Sequence, residues 1–247
     1  RRDQMGVTHE VLPYDQHALA ARVQCSVPHH GQAFQWFNHE NGELDILALL
    51  PMGGASGQQA ALVWSLSPAR AAQLQAMPVA EFEQALHHAS HDQLGALSLT
   101  SERRSWPLLM ARAVQWCGHD SDGNAWVLAG DAAHSVHPLA GQGLNLGLRD
   151  VAALAEVVVQ AQRRGEDIGA LDVLERYQSW RRFDTTAMAL GMDGINRLFS
   201  NDNPLLRGLR DLGLGLVNAA PRLRRGFIRQ AAGINGAQPK LMTGQAL

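Results

Sequence analysis

Residues 130–150 read GDAAHSVHPLAGQGLNLGLRD. The stretch follows an apolar run, NAWVLAG at 124–130, and leads into a long helical pattern. Strand, glycine-rich turn and helix together make the geometry of a nucleotide site in an α/β sheet. The start of such a helix offers unpaired N–H groups and a partial positive charge. Gly141 and Gly143 remove side chains, so a ligand can approach the backbone closely. Asp131 stands just after the strand, where a carboxylate accepts hydrogen bonds from sugar hydroxyls. The chain holds neither GxGxxG nor a Walker-type phosphate loop. A carboxylate at the mouth of the loop suits a polyol better than a phosphate.

The flanks extend this reading. NAWVLAG lacks polar alternation, as expected of a strand buried on both faces. Beyond the loop, Leu144, Leu148, Val151, Ala155 and Val158 recur at helical spacing. Arg163, Arg164 and Gly165 then supply cations near the negative dipole end and a glycine cap.

Upstream, HALAARVQCSV, AFQWFNH, LDILALLPM and AALVWSL read as short strands between turns such as PHHGQ, NGE and GGASG. Pairing between successive members predicts an antiparallel sheet. PVAEFEQALHHAS, residues 78–90, reads as a helix with Val79, Phe82 and Leu86 on one face, and LGALSLTSERRSWPL returns to strand. From about residue 170 the pattern is helical: one helix over 171–199, a second over 204–220 and a third over 221–233. The four expected regions are a sheet with one helix (1–108), the strand, glycine-rich loop and helix (109–168), C-terminal helices (169–235) and a disordered tail (236–247).

Bulk properties narrow the classes. The chain has 247 residues, 46% of them hydrophobic, enough for a substantial core. A formal charge of -2 leaves no nucleic-acid footprint. Cys25 and Cys117 have no CxxC spacing, which points to a reducing compartment without a disulfide framework. No run approaches the roughly 18 apolar residues of a membrane span. The opening residues contain no apolar segment of the signal-peptide kind and no initiator Met, and the chain begins as if cut from something longer.

HPLAGQGLNLGLRD, residues 137–150, resembles the signature of the ubiquinone-biosynthesis hydroxylases, the UbiH/Coq6 group of class A flavoprotein monooxygenases. That pattern is His-Pro, an aliphatic residue, Ala or Gly, then Gly-Gln-Gly, any residue, Asn, any residue, Gly, two residues and Asp. Every specified position is met. Gly130-Asp131 resembles the second flavin motif of the wider aromatic-hydroxylase family. FSNDNPLLRGLRDLGLGLV, residues 199–217, is similar to the family's C-terminal helices. The resemblance implies an α/β fold, α+β within this chain: an aromatic-hydroxylase-type FAD-binding fold with a substrate-domain β-sheet and C-terminal helices. Family members carry GxGxxG upstream of the region matched here. The resemblance therefore also implies that this chain is the C-terminal part of such an enzyme.

Carried over to this sequence, the resemblance makes Gly130, Asp131, Pro138, Gly141, Gln142, Gly143, Leu144 and Asn145 the cofactor-binding residues. Asp131 would meet the ribityl chain or a nearby sugar, Pro138 would line the ring, and residues 141–145 would set a helix end against the pyrimidine of the flavin. Asp150 would stabilise the loop or helix. The chemistry is flavin-borne and needs no catalytic side chain. His137 keeps two readings, support beside the flavin or a hydrogen bond that stabilises the loop. The implied reaction hydroxylates the ring of a polyprenyl phenol with O2 and NAD(P)H through a flavin C4a-hydroperoxide. The implied location is the bacterial cytoplasm, with peripheral contact to the inner membrane or to other ubiquinone-biosynthesis proteins.

Other readings stay beside this one. Asp131, His134 and His137 form D-x-x-H-x-x-H, the ligand set of a conceivable metal hydrolase, but the spacing falls on a turn and the expectation is no metal. His134 reads as a structural turn residue. His29, His30, His87, His88 and His91 read as solvated, and Trp36 and Trp64 as sheet core. Arg207, Arg210, Arg222, Arg224, Arg225 and Arg229 form either a solvated face or a basic amphipathic surface for anionic lipid or a partner. The alternative function is a non-catalytic lipid-phenol-binding or scaffold fragment.

Overall fold

The computed structural model describes residues 5–40, 43–135, 141, 143–199 and 238–247, with the backbone alone for residues 40 and 187–199. The chain falls into two compact units, Pro13–Leu108 and the remainder.

In the Pro13–Leu108 unit the four runs read as strands form β1 (His9–Cys25), β2 (Phe34–Glu40), β3 (Glu43–Pro51) and β4 (Gln59–Leu66). β2 pairs antiparallel with β3, and β3 with β4. β1 departs from simple succession: it lies antiparallel to β4, with Leu19 opposite Trp64 and Val23 opposite Ala60. The link from β1 to β2 is tied toward the start of β4. His29, only 4% exposed, has Nε2 3.0 Å from the Gln59 carbonyl, and its Nδ1 accepts from the Gly31 N–H. His29 is therefore part of the fold rather than a solvated loop residue. A short strand, β5 (Leu97–Leu99), adds to the other edge of β1.

Alternation along the strands puts Leu19, Val23, Leu47, Leu49, Leu62 and Trp64 on one face. Two helices cover that face, α1 (Pro68–Ala76) and α2 (Val79–Ala89), through Ala71, Leu74, Phe82 and Leu86. Burying a large apolar side chain contributes about 1.5–3 kcal/mol, so this cluster is the main source of the unit's stability. Trp64 sits in it as core, 1% exposed. The sequence reading missed α1. Its signal was Ser67-Pro68, a cap whose Oγ accepts from the Arg70 N–H, followed by a proline in the first turn.

The second unit contains most of β6 (Arg104–Ala113), then β7 (Cys117–His119), β8 (Ala125–Val127), β9 (His134–Ser135), α3 (Gly143–Arg163) and α4 (Leu171–Phe199). β9 pairs with β6, and β7 pairs with β8 in a hairpin. Asp120 shapes that hairpin by accepting from the backbone N–H groups of Asp122 and Asn124. NAWVLAG thus forms a three-residue strand with an exposed first residue, not a strand buried on both faces. Its apolar residues serve other ends. The Trp126 ring lies over Gly118, where an added Cβ would come within 2.8 Å of Cζ2. Leu128 enters the core and its carbonyl accepts from Tyr177 Oη.

The apolar repeat at Leu144, Leu148 and Val151 marks a helix but not its buried face. Those three residues are exposed, while Leu146, Asp150, Ala153, Val157 and Ala161 face inward. The buried face carries a carboxylate and several alanines, so hydropathy alone points to the wrong side. α3 ends as expected, with Gly165 at φ +72°. The helix read over 171–199 is α4. The helices expected over 204–233, and the arginines in them, lie outside the described residues. The terminal residues, expected as a disordered tail, instead carry a short 3-10 turn at Lys240–Thr243. The Lys240 N–H donates to Glu156 of α3 at 2.8 Å, which holds the turn in place.

Candidate functional site

The strand-to-helix loop is built around a backbone turn. β8 ends at Val127, and Gly130–Ala132 form one turn of 3-10 helix. Gly130 takes φ +59°, a conformation that glycine adopts without strain. A Cβ on Gly130 would stand 3.6 Å from Gly147 Cα, and one on Gly147 would stand 3.4 Å from Gly130 Cα. The turn therefore rests directly on the backbone of α3. Gly147 is a glycine inside a helix, normally a cost of about 1 kcal/mol against alanine. The turn lies at van der Waals distance from this glycine, to which the sequence reading had given no role.

One buried carboxylate ties the turn to both helices. Asp150, fully buried on α3, accepts from the Gly130 N–H at 2.9 Å and from His134 Nε2 at 2.6 Å through the same oxygen. Its other oxygen accepts from Arg181 Nε of α4 at 2.8 Å. Arg181 is fully buried and also donates to Asp184 through Nη1. Burial alone would raise the Asp150 pKa. The bonds from His134, Arg181 and Gly130 outweigh it and hold the carboxyl below the usual carboxylate range. Trp116 closes the pocket around these groups, its ring 5.1 Å from His134 and 6.3 Å from Tyr177. Burial pushes the Tyr177 phenol strongly upward, so it stays a neutral donor to Leu128.

The residues expected at the ligand lie around this anchored turn. Asp131 is exposed on it. Gly141 is exposed at φ +60°, and neither it nor Gly143 would bring an added Cβ within 4 Å of a neighbour. Leu144 and Asn145 are exposed in the first turn of α3. His137, Pro138 and Gln142 lie outside the described residues. His134 bonds Asp150 through Nε2, in keeping with the structural role expected of it. The sequence reading had assigned Asp150 to the loop or helix. It had found no part for Arg181, because nothing in the local pattern around residue 181 sets it apart from Arg182 beside it.

This is an open, glycine-lined helix start beside an anchored turn that exposes a carboxylate, in a mixed α/β protein. Such an arrangement makes this loop the candidate site for a nucleotide cofactor. The match to known families agrees: residues 2–189 fit the model described as an FAD binding domain, and the chain belongs to that family. All of the chain aligns at 36% identity with the ubiquinone hydroxylase UbiL of Rhodospirillum rubrum, covering 55% of that protein. The 3-demethoxyubiquinol 3-hydroxylase of Escherichia coli is 36% identical over 233 residues, 94% of this chain and 56% of its own length. The chain thus spans about half the length of these relatives. Among solved structures, p-nitrophenol 4-monooxygenase PnpA from Pseudomonas putida matches 96% of this chain and 57% of its own. It does so with a TM-score of 0.69 at 18% identity. The anhydrotetracycline hydroxylase OxyS from Streptomyces rimosus matches 96% of this chain and 44% of its own, with a TM-score of 0.65 at 20% identity. The two structures establish the aromatic-hydroxylase fold.

Proposed function

We propose that the protein carrying this chain is an FAD-dependent monooxygenase that hydroxylates the ring of a polyprenyl phenol in ubiquinone biosynthesis, using O2 and NAD(P)H. The observation that carries the reading is the exposed, glycine-flanked start of α3 beside the anchored Gly130–Asp131 turn. It stands in a chain that aligns along its whole length with ubiquinone hydroxylases. Bound FAD supplies the electrons taken from NAD(P)H and the centre at which O2 is activated.

The residues present fit that cofactor. Exposed Asp131 can accept from ribityl or sugar hydroxyls. The open space at Gly141 and Gly143 admits a flat ring against backbone. The start of α3 is the positive end of the helix dipole and favours the negative charge of reduced flavin at its pyrimidine end. Leu144 and Asn145 flank that end, and Pro138, Gln142 and His137 complete the set by sequence.

The substrate needs an apolar, water-poor surface, because exposed activated oxygen is lost as peroxide. The face of the sheet away from α1 and α2 carries the partly exposed Ala48, Ala61 and Val63, which offer apolar area for a phenol ring. No helix among the described residues is long and apolar enough to cross a membrane. A bacterial cytoplasmic location, with peripheral contact to the inner membrane or partner proteins through the arginine-rich 204–233 region, completes the proposal.

The test uses the whole protein, loaded with FAD and given NAD(P)H, O2 and a prenylated phenol. The expected result is phenol-dependent NAD(P)H oxidation and a product carrying one added oxygen atom. NAD(P)H oxidation that ignores the phenol and yields only peroxide would refute the assignment.

A further inference from the structure

We propose that Arg181 is a positioning residue for the flavin: through Asp150 it fixes the Gly130 N–H and so the Gly130–Asp131 turn. This rests on the flavin reading above. The chain of contacts is short and directed. Arg181 Nε donates to one oxygen of Asp150, and the other oxygen accepts from both Gly130 and His134. Asp150 cannot shift without breaking all three bonds, and Gly130 cannot shift without moving the exposed carboxylate beside it. Arg181 is in turn oriented by Asp184 and enclosed by α4, where Thr185 Oγ donates to its carbonyl.

Stability alone does not account for this arrangement. Apolar packing often replaces a buried ion pair without loss. Here the guanidinium also keeps a buried Nη2 with no hydrogen-bond partner among the described residues, a cost that an apolar side chain would not carry. What the charged form offers over an apolar one is a fixed carboxylate with two rigid acceptor directions. One of those directions ends on the backbone of the ligand turn. Arg181 is 51 residues beyond Gly130 in the sequence, so the coupling runs through the packing of α4 on α3 rather than along the loop.

The experiment measures the FAD dissociation constant of the whole protein by quenching of flavin fluorescence, with the melting temperature of each apo form. The variants are R181M, R181K, D184N and the surface control R176M. The wild type and R176M are expected to bind FAD alike. R181M is expected to bind about tenfold more weakly or worse, a loss of roughly 1.4 kcal/mol. R181K should recover part of that loss because it restores the charge without the fork. D184N leaves the Asp150 contact in place and should fold normally with a smaller loss, about threefold to fivefold. A role in folding alone would lower melting temperatures and leave the affinity of the folded molecules unchanged. Affinities within twofold of wild type in R181M, or in both R181K and D184N if R181M fails to fold, would overturn the proposal. A wild-type protein that binds no FAD would instead sink the flavin reading, and this inference with it.

Discussion

Arg181 Nε of α4 stands 2.8 Å from Asp150 Oδ1 of α3, with both side chains fully buried. Their bond closes a network in which one carboxylate serves two helices, a histidine and the backbone of the candidate cofactor turn. Removing Asp150 leaves the buried Arg181 with Asp184 alone, and removing Arg181 leaves the buried Asp150 with only His134 and the Gly130 N–H. Asp150→Ala is therefore expected to cost about 3–5 kcal/mol, well beyond a surface substitution. Urea unfolding checks it, and a loss below about 1 kcal/mol would contradict the network's structural weight.

The same carboxylate sets a pH dependence. Its pKa is lowered in the folded protein, so its contribution to stability is fully present above the unfolded value of about 3.9. That contribution is lost as the pH falls through the lower folded value. Asp150→Asn removes the titration. The variant is expected to be less stable than wild type at neutral pH, with the difference narrowing below about pH 4. Melting temperatures across that range give the result, and a difference that widens on acidification would reverse the sign.

Gly130 at φ +59° permits the turn, and the backbone of α3 lies against it. Gly130→Ala adds left-handed strain of about 1–2 kcal/mol and a methyl group 3.6 Å from Gly147. The expected outcome is a folded protein of lower melting temperature and weaker FAD binding. Gly123 also has positive φ, at +81°, but it has open space around it and lies in the β7–β8 hairpin. Gly123→Ala should lower the melting temperature without changing FAD affinity.

Cys25 and Cys117 are both buried, and burial pushes both thiols up in pKa. Neither should react with an alkylating reagent in the folded protein, and both should react after denaturation. Mass spectrometry before and after unfolding reads this directly, and fast native labelling of either cysteine would contradict the burial.

The parts legible in the sequence were those written in local pattern. Strands β1 to β4, α2, the C-terminal end of α3 and the start of α4 follow from alternation, helical spacing and caps. The position of the loop was legible because Gly141, Gly143 and Asp131 form a compact motif. The long-range terms were not legible. β1 pairs with β4 across the two intervening strands, and His29 ties its exit to Gln59, a contact between positions 30 residues apart. The inward face of α3 was hidden because Asp150, a charged residue, points into the core while Leu144 and Leu148 point out. Arg181 reads locally as one arginine of Trp180-Arg181-Arg182, and only the packing of α4 on α3 separates it from its neighbour.

The most direct test of the central claim is the visible spectrum of the whole protein and its Asp131→Ala variant, each incubated with FAD and desalted. The account predicts a flavin band near one FAD per wild-type chain, with most of that band lost in the variant while its melting temperature stays close to wild type. A wild type without flavin, or a variant that keeps the full band, would contradict the assignment of this loop as a flavin site.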